Sequence, residues 1–316
     1  MEGFRIPLGE WVDDGLNWLL DNLEWFFTFL SNVIGALVDG LSTALIQTPI
    51  PVMIIVFALI AWLLRSWKLA LGTALSFILI VGLDLWTPAM QTLALVLVAA
   101  IIAVLIAVPL GIWSARNDAV RAALKPVLDF MQTMPAFVYL IPAIMFFGIG
   151  VVPGIFATVI FALPPGVRLT ELGIRGVDGE TVEAAQAFGA TPSQILRGVQ
   201  LPLALPTIMA GINQLIMLAL SMAVIAGMAG ADGLGKMVVQ GISSMDVPMG
   251  VESGLGIVLI AVFLDRCTAA LAQPSPTSLL GLLEHVRQEK RKADAEEAAS
   301  EASELVVAGP RRAPIA

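Results

Sequence analysis

The chain reads as an all-α integral membrane protein with about seven transmembrane helices, on three observations. Of its 316 residues 58% are hydrophobic and 13% charged, whereas a soluble domain carries about a quarter charged, and the mean hydropathy is +0.90. Apolar runs approaching the thickness of a bilayer recur along the chain. Lys and Arg gather in every second connection between those runs, as they do in loops retained in the cytoplasm. The same composition narrows the chemistry. A single cysteine, Cys267, leaves no internal disulfide, and with one histidine, His285, no Cys/His metal cluster is built, so no metal ligands are expected. The net charge of −8 disfavours a nucleic-acid partner.

Residues 1–48 are expected to form an extracytoplasmic amphipathic region. They lack the basic start and small-residue cleavage site of a signal peptide. Leu16, Leu20, Leu23, Phe27, Leu30, Ile34 and Leu37 recur at helical spacing opposite Asp14, Asn17, Asp21, Glu24, Thr28 and Ser31. Trp11, Trp18 and Trp25 suit a membrane–water interface. Two readings stay open for this helix, a scaffold lying on membrane lipid or a docking surface for a partner.

The spans are expected near Ile50–Leu64 and Leu69–Leu83, within residues 49–86, and then near Met90–Trp113, Met131–Ile149, Val152–Val167, Pro206–Ala229 and Val251–Leu264. Arg65 and Lys68 mark one basic connection; Arg116, Arg121 and Lys125 a second; Arg168, Arg175 and Arg197 a third; Arg266 and the tail a fourth. The connections between them carry Asp84, then no charge, then Asp232, Lys236 and Asp246. The alternation predicts a multi-pass protein with its N-terminus outside and its C-terminus cytoplasmic.

Within the third basic connection, 168–206, the stretch Val182–Pro202 is an ordered polar insert between greasy runs. Asp178 is placed to cap a short helix starting near Glu180, and Gly189 to end it in the left-handed conformation. Thr191, Pro192 and Gln194 spell a second helix start with a capping box, which Pro202 and Pro206 are expected to close. The result is a helix–Gly–helix elbow on the cytoplasmic face. Ala184, Ala185 and Gly189 carry little bulk, so another protein's surface can approach the backbone there, or the elbow packs only on its own spans.

Further on, Gly230–Met237 matches G-x-x-x-x-G-K but has Met237 where a phosphate-binding loop needs Ser or Thr. It follows a membrane helix on the outer face, and is read as the turn ending the sixth span. Residues 273–316 form a Pro/Ser linker and a mixed-charge tail, expected to be disordered and cytoplasmic, either plainly solvated or sensitive to ionic strength.

The pattern E-A-A-x-x-x-G, nine residues, an aliphatic, one residue, L-P is present as Glu183-Ala184-Ala185, Gly189, Val199 and Leu201-Pro202. It resembles the signature loop of ABC importer permeases, with Val199 where that loop usually carries Ile. "QTMPAFVYLIP", "FGIGVVPG", "FALPP", "QLPLALPTIMAGINQ" and "LALSMAVIAGM" resemble the glycine betaine/proline branch of that family. The resemblance implies a type I, MetI-like permease core over residues 87–272 in a bacterial plasma membrane. It implies a homodimeric pore formed with a second permease copy, two cytoplasmic ATPase subunits holding ATP and magnesium, and an extracytoplasmic solute-binding protein. Glu183, Ala184, Ala185, Gly189, Leu201 and Pro202 would then couple the pore to the ATPase. This chain would hold no cofactor and no catalytic residue.

None of the mid-span positions assigned above holds Asp, Glu, Lys, Arg or His, which argues against an ion-coupled carrier. For the translocation path, Asn213, Gln214 and Ser221 on the sixth span serve either interhelical hydrogen bonds or pore lining. Tyr139 and Phe146, near Phe137 and Phe147, serve either packing or cation–π attraction of a quaternary ammonium. Choline, carnitine or another small amine is an alternative cargo, and an autonomous carrier or channel the alternative of another class.

Overall fold

The computed structural model describes residues 7–272 and consists of helices joined by short turns. In order they are α1 (Leu8–Gln47), α2 (Ile50–Leu64), α3 (Trp67–Gly82), α4 (Trp86–Arg116), α5 (Asp118–Thr133), α6 (Ala136–Phe147) and α7 (Val151–Arg175). There follow α8 (Gly179–Ala187), α9 (Pro192–Ile195), a π turn (Leu196–Gln200), α10 (Leu201–Ser221), α11 (Ala223–Met228), α12 (Leu234–Ser244) and α13 (Val247–Ala272). The expected tail, 273–316, lies outside the described residues.

The heart of the molecule is α4, α7 and α10. Where α4 crosses α7, small residues bring the backbones together, because helices in lipid associate through close packing rather than through water's exclusion. A Cβ on Gly111 would lie 2.5 Å from Thr170 Cβ, and one on Gly166 would lie 2.9 Å from Ala107 Cβ. Gly211 of α10 meets α7 in the same way, with Leu169 Cβ 2.8 Å from a built Cβ. Ala89, Ala94, Ala99, Ala103 and Ala107 of α4 are fully or nearly fully buried. These three helices therefore form one tightly keyed body.

The span reading needs three corrections. Among the described residues five helical runs are long and apolar enough to cross a membrane: α1, α4, α7, Pro192–Met228 and α13. First, the run expected near Met131–Ile149 is not one straight helix, because α5 and α6 meet at a 98° bend. Pro135 lacks a backbone N–H and pushes Met134 to extended geometry, φ −72° and ψ 135°. Second, the sixth run is longer than expected, extending back to Pro192 with only a local adjustment at Met222 between α10 and α11, and an amphipathic α12 follows that the apolar-run reading did not contain. Third, Pro202 and Pro206 do not stop the second elbow helix. The chain runs through the π turn into α10, with Pro202 directly after the wider i→i−5 hydrogen bond from the Leu201 N–H to the Leu196 carbonyl.

Although α1 is long and apolar enough to span, its contacts lie at one end of the bundle. Phe27 stacks on Phe146 at 4.4 Å and meets Phe147 edge-on, both in the last turn of α6. Val38, Asp39 and Ser42 share a cavity of about 200 Å³ with Gln91, Gly150, Val151, Gly230 and Asp232. These are the starts of α4 and α7 and the α11–α12 turn, so α1 runs across that end. Its buried face is Phe27, Ile34, Val38 and Leu45, while Leu37, expected inside, is exposed. Phe27, Ile34, Val38 and Leu45 follow spacings of seven and four along one row, and Leu37 lies beside that row.

The α11–α12 turn is equally tight. Gly230 and Gly233 take φ of 96° and 129°, where a side chain is strained, and Gly150 pairs with Gly230 in an isolated bridge. Thr92 Oγ1 accepts the Leu234 N–H at 2.8 Å and donates to the Pro88 carbonyl at 2.9 Å, fixing the start of α12 on α4.

Candidate functional site

The elbow lies at the opposite end of the bundle, between α7 and α10. Asp178 Oδ1 accepts the Glu180 N–H at 3.0 Å and so starts α8. At its far end the Gly189 N–H reaches the Gln186 carbonyl at 2.9 Å and the Ala190 N–H reaches the Ala185 carbonyl at 3.1 Å. This is a Schellman cap, and Gly189 takes the φ of 80° that it requires. The capping box of α9 is present, with the Gln194 N–H on Thr191 Oγ1 at 3.4 Å and the Thr191 N–H on Gln194 Oε1 at 2.8 Å. Both helix starts and the glycine between them follow the sequence expectation.

The two arms of the elbow differ in how they are held. Leu196 packs with Ile174, Ala204 and Ile208 in a buried cluster, tying the second arm to α7 and α10. The first arm, α8, buries no residue at all. Glu183 and Ala184 are exposed, Ala185 is half-buried, Leu201 is half-buried against the same cluster, and Pro202 is exposed. Phe188, which the sequence reading passed over, is 92% exposed at the end of α8. The available signal was a lone aromatic residue in a polar segment. Behind the elbow a cavity of about 470 Å³, lined in part by Leu172, Gly176, Asp178, Thr181, Leu203 and Thr207, leaves α8 standing clear of the bundle.

An ionic cluster braces the base of the elbow. Glu171 of α7 accepts from Ser114 Oγ of α4 at 2.7 Å and pairs with Arg121 Nε of α5 at 2.7 Å. Arg175, one turn on, lies 3.6 Å from Glu171 and donates to the Ser114 carbonyl at 3.0 Å and to Asp118 at 2.7 Å. Arg168 pairs with Asp129. The Glu171–Arg175 spacing of four residues is the one sequence signal that pointed here.

The residues expected on the translocation path divide. Tyr139 is buried, and its hydroxyl donates to the Met131 carbonyl at 2.6 Å across the α5–α6 bend. Phe146 is stacked on Phe27 of α1. Asn213 donates to Asp265 at 2.9 Å and accepts from Thr268 at 2.6 Å, linking α10 to α13. Gln214 and Ser221 lie on the exposed side of α10 with Ala210, and Ser221 turns its hydroxyl back to the Met217 carbonyl at 3.0 Å. The structure thus engages three of the five with neighbouring helices and leaves two on an open face.

Residues 107–273 match the model of a family described as the binding-protein-dependent transport system inner membrane component. The chain is 50% identical over 264 residues to the glycine betaine transport system permease protein OpuAB of Bacillus subtilis (strain 168), covering 84% of this chain and 94% of that protein. It is 48% identical over 270 residues to the glycine betaine/proline betaine transport system permease protein ProW of Escherichia coli (strain K12), covering 85% and 76%. It is 50% identical over 273 residues to the glycine betaine/carnitine transport permease protein GbuB of Listeria monocytogenes serotype 1/2a (strain 10403S), covering 84% and 95%. In fold it is similar to a chain of the inward-facing MetNI methionine ABC transporter, with a TM-score of 0.54 and 22% identity over 58% of this chain and 91% of that one.

Proposed function

The chain belongs to the family of binding-protein-dependent transport system inner membrane components, and from that premise we propose that it is the permease of an ATP-driven importer of glycine betaine and proline betaine. The names of the Bacillus and Escherichia relatives support that cargo. That of the Listeria relative favours carnitine as a second one. Two copies form the pore in the inner membrane, each with its N-terminus outside and its C-terminus in the cytoplasm. A solute-binding protein delivers cargo from outside, and ATP and magnesium reside on two cytoplasmic ATPase subunits. The permease itself holds no cofactor and performs no catalysis.

The observation that carries the coupling role is the asymmetry of the elbow. One arm, α8, is capped at both ends yet buries nothing; the other is continuous with α10 and packed on α7. A rigid segment that is free on one side and fixed on the other is suited to seat in a partner and transmit its movement. Glu183, Ala184, Ala185 and Gly189 form the seated surface, and Leu201 and Pro202 join it to the span. When ATP draws the two ATPase subunits together, the seated arms approach each other and the pore opens outward; hydrolysis returns it.

Gly189→Asp tests this. Aspartate at a φ of 80° breaks the cap and adds bulk and charge to the surface. The variant is expected to remain in the membrane but to lose the ATPase in a mild-detergent pull-down and to lose ATP-dependent betaine uptake in proteoliposomes. Retention of both would remove the elbow from the coupling path.

A further inference from the structure

We propose that Glu171 is a positioning residue for transport, a carboxylate hub that passes the movement of the elbow to α5 and hence to the α5–α6 bend. The inference rests on the coupling reading above and goes beyond it. The elbow leads into α7 through only Gly176, Val177 and Asp178, about 10 Å of chain at full extension, so a displacement of α8 reaches Arg175 with little slack. From there two routes into the bundle differ in kind. The seam of α7 with α4 is close-packed, Gly111 against the Val167 carbonyl and Thr170 and Gly166 against Ala107, and such a keyed seam moves as one body. The junction of α7 with α5 is ionic at this end, made by Glu171 with Arg121, Arg175 with Asp118, and Arg168 with Asp129.

Among those links Glu171 is the least replaceable. Its side chain is 15% exposed, against 87% for Asp118 and 51% for Asp129. Both oxygens are engaged, one by Ser114 of α4 and the other by Arg121 of α5 and Arg175 of α7. Arg121 itself is 53% exposed, so the pair acts by holding geometry between helices rather than by sheltering a buried charge, and its carboxylate end is the fixed one. Glu171 therefore joins the rigid α4–α7 body to α5. Beyond α5 the chain turns 98° into α6, and Tyr139 ties the two sides of that turn through Met131. A pull on Arg121 accordingly reorients α6 rather than merely stretching a flexible joint.

The experiment uses the reconstituted complex of permease, ATPase and binding protein in proteoliposomes and reads betaine transported per ATP hydrolysed. Glu171→Gln, nearly isosteric, is expected to keep the ATPase bound and to lower that ratio about tenfold, a typical site-to-site coupling effect. Glu171→Asp is expected to restore part of it. The Glu171→Gln/Arg121→Gln double variant is expected to be no worse than Glu171→Gln alone, because both act through one link. An unchanged ratio in Glu171→Gln, additive losses in the double variant, or loss of the bound ATPase each overturns the proposal, the last by showing a merely structural role. Gly189→Asp run in parallel separates the two ideas: if it uncouples and Glu171→Gln does not, the elbow reading stands and the hub falls.

Discussion

Phe188 is the residue at which geometry and energy disagree most openly. A side chain of that size gains about 2 kcal/mol or more when fully buried, yet it is 92% exposed on a helix that buries nothing. Aromatic residues dominate binding hot spots when they fill a partner's pocket, and Phe188 directly precedes the glycine that shapes the elbow. Phe188→Ala is expected to weaken ATPase binding by about 2 kcal/mol, while Phe188→Leu keeps most of it. Titration of the ATPase onto permease in lipid nanodiscs measures this, and equal affinity of wild type and Phe188→Ala would sink it. The substitution leaves the fold intact, since the ring touches no core. Legibility at this scale follows locality. Asp178, Gly189 and the Thr191–Gln194 box act through neighbours within a few positions, so their types announce their roles. The partners of Glu171 stand 57 and 50 positions away along the chain, at Ser114 and Arg121, and no spacing rule reaches them.

Among the elements, α4, α7 and α13 were legible as spans because hydropathy alone marks them, whereas α2 and α3, also expected as spans, are apolar helices of 15 and 16 residues that fall short of a span's length. The sharp bend was not legible. Met134–Pro135 interrupts a run that stays apolar on both sides, and a hydropathy window averages across such a joint. The helix α12 was read only as the turn and decoy motif at its start, because its small residues matter through what they touch. Gly235 illustrates this. A Cβ there would run into the Ala223 carbonyl oxygen of α11. Gly235→Ala is therefore expected to lower stability by about 1–3 kcal/mol, as overpacking does, seen as a drop in melting temperature of the detergent-solubilised protein. Gly72→Ala on α3, where a Cβ meets nothing within 4 Å, serves as its control and should be neutral or slightly stabilising. If both variants melt alike, the α11–α12 junction is looser than its geometry states.

For the molecule as a whole, the open face of α10 carries the consequence that a single chain does not satisfy. Ala210, Gln214 and Ser221 lie along one exposed stripe, and a glutamine amide facing lipid is expensive because hydrocarbon offers it no hydrogen bond. On the proposed dimeric pore the stripe faces water or a second permease copy. In a Cys267→Ala background, Gln214→Cys is expected to react at least about tenfold faster with a charged, membrane-impermeant maleimide than Leu105→Cys, which is 68% exposed on apolar α4. Equal rates would mean that the face of α10 is lipid-covered. Which side chains point into the path was beyond the sequence because it depends on how four or five helices rotate about their own axes, and hydropathy is blind to rotation. The uninterrupted passage from Pro192 to Ser221, through the π turn, then acquires a mechanical meaning. Thirty residues of helix make a rod of about 45 Å. A tilt of about 5° at the elbow end displaces its other end by about 4 Å, which exceeds the width of a water molecule. On the coupling role proposed above, leverage along this helix would turn a small angular adjustment outside the bilayer into a gap of molecular size across it.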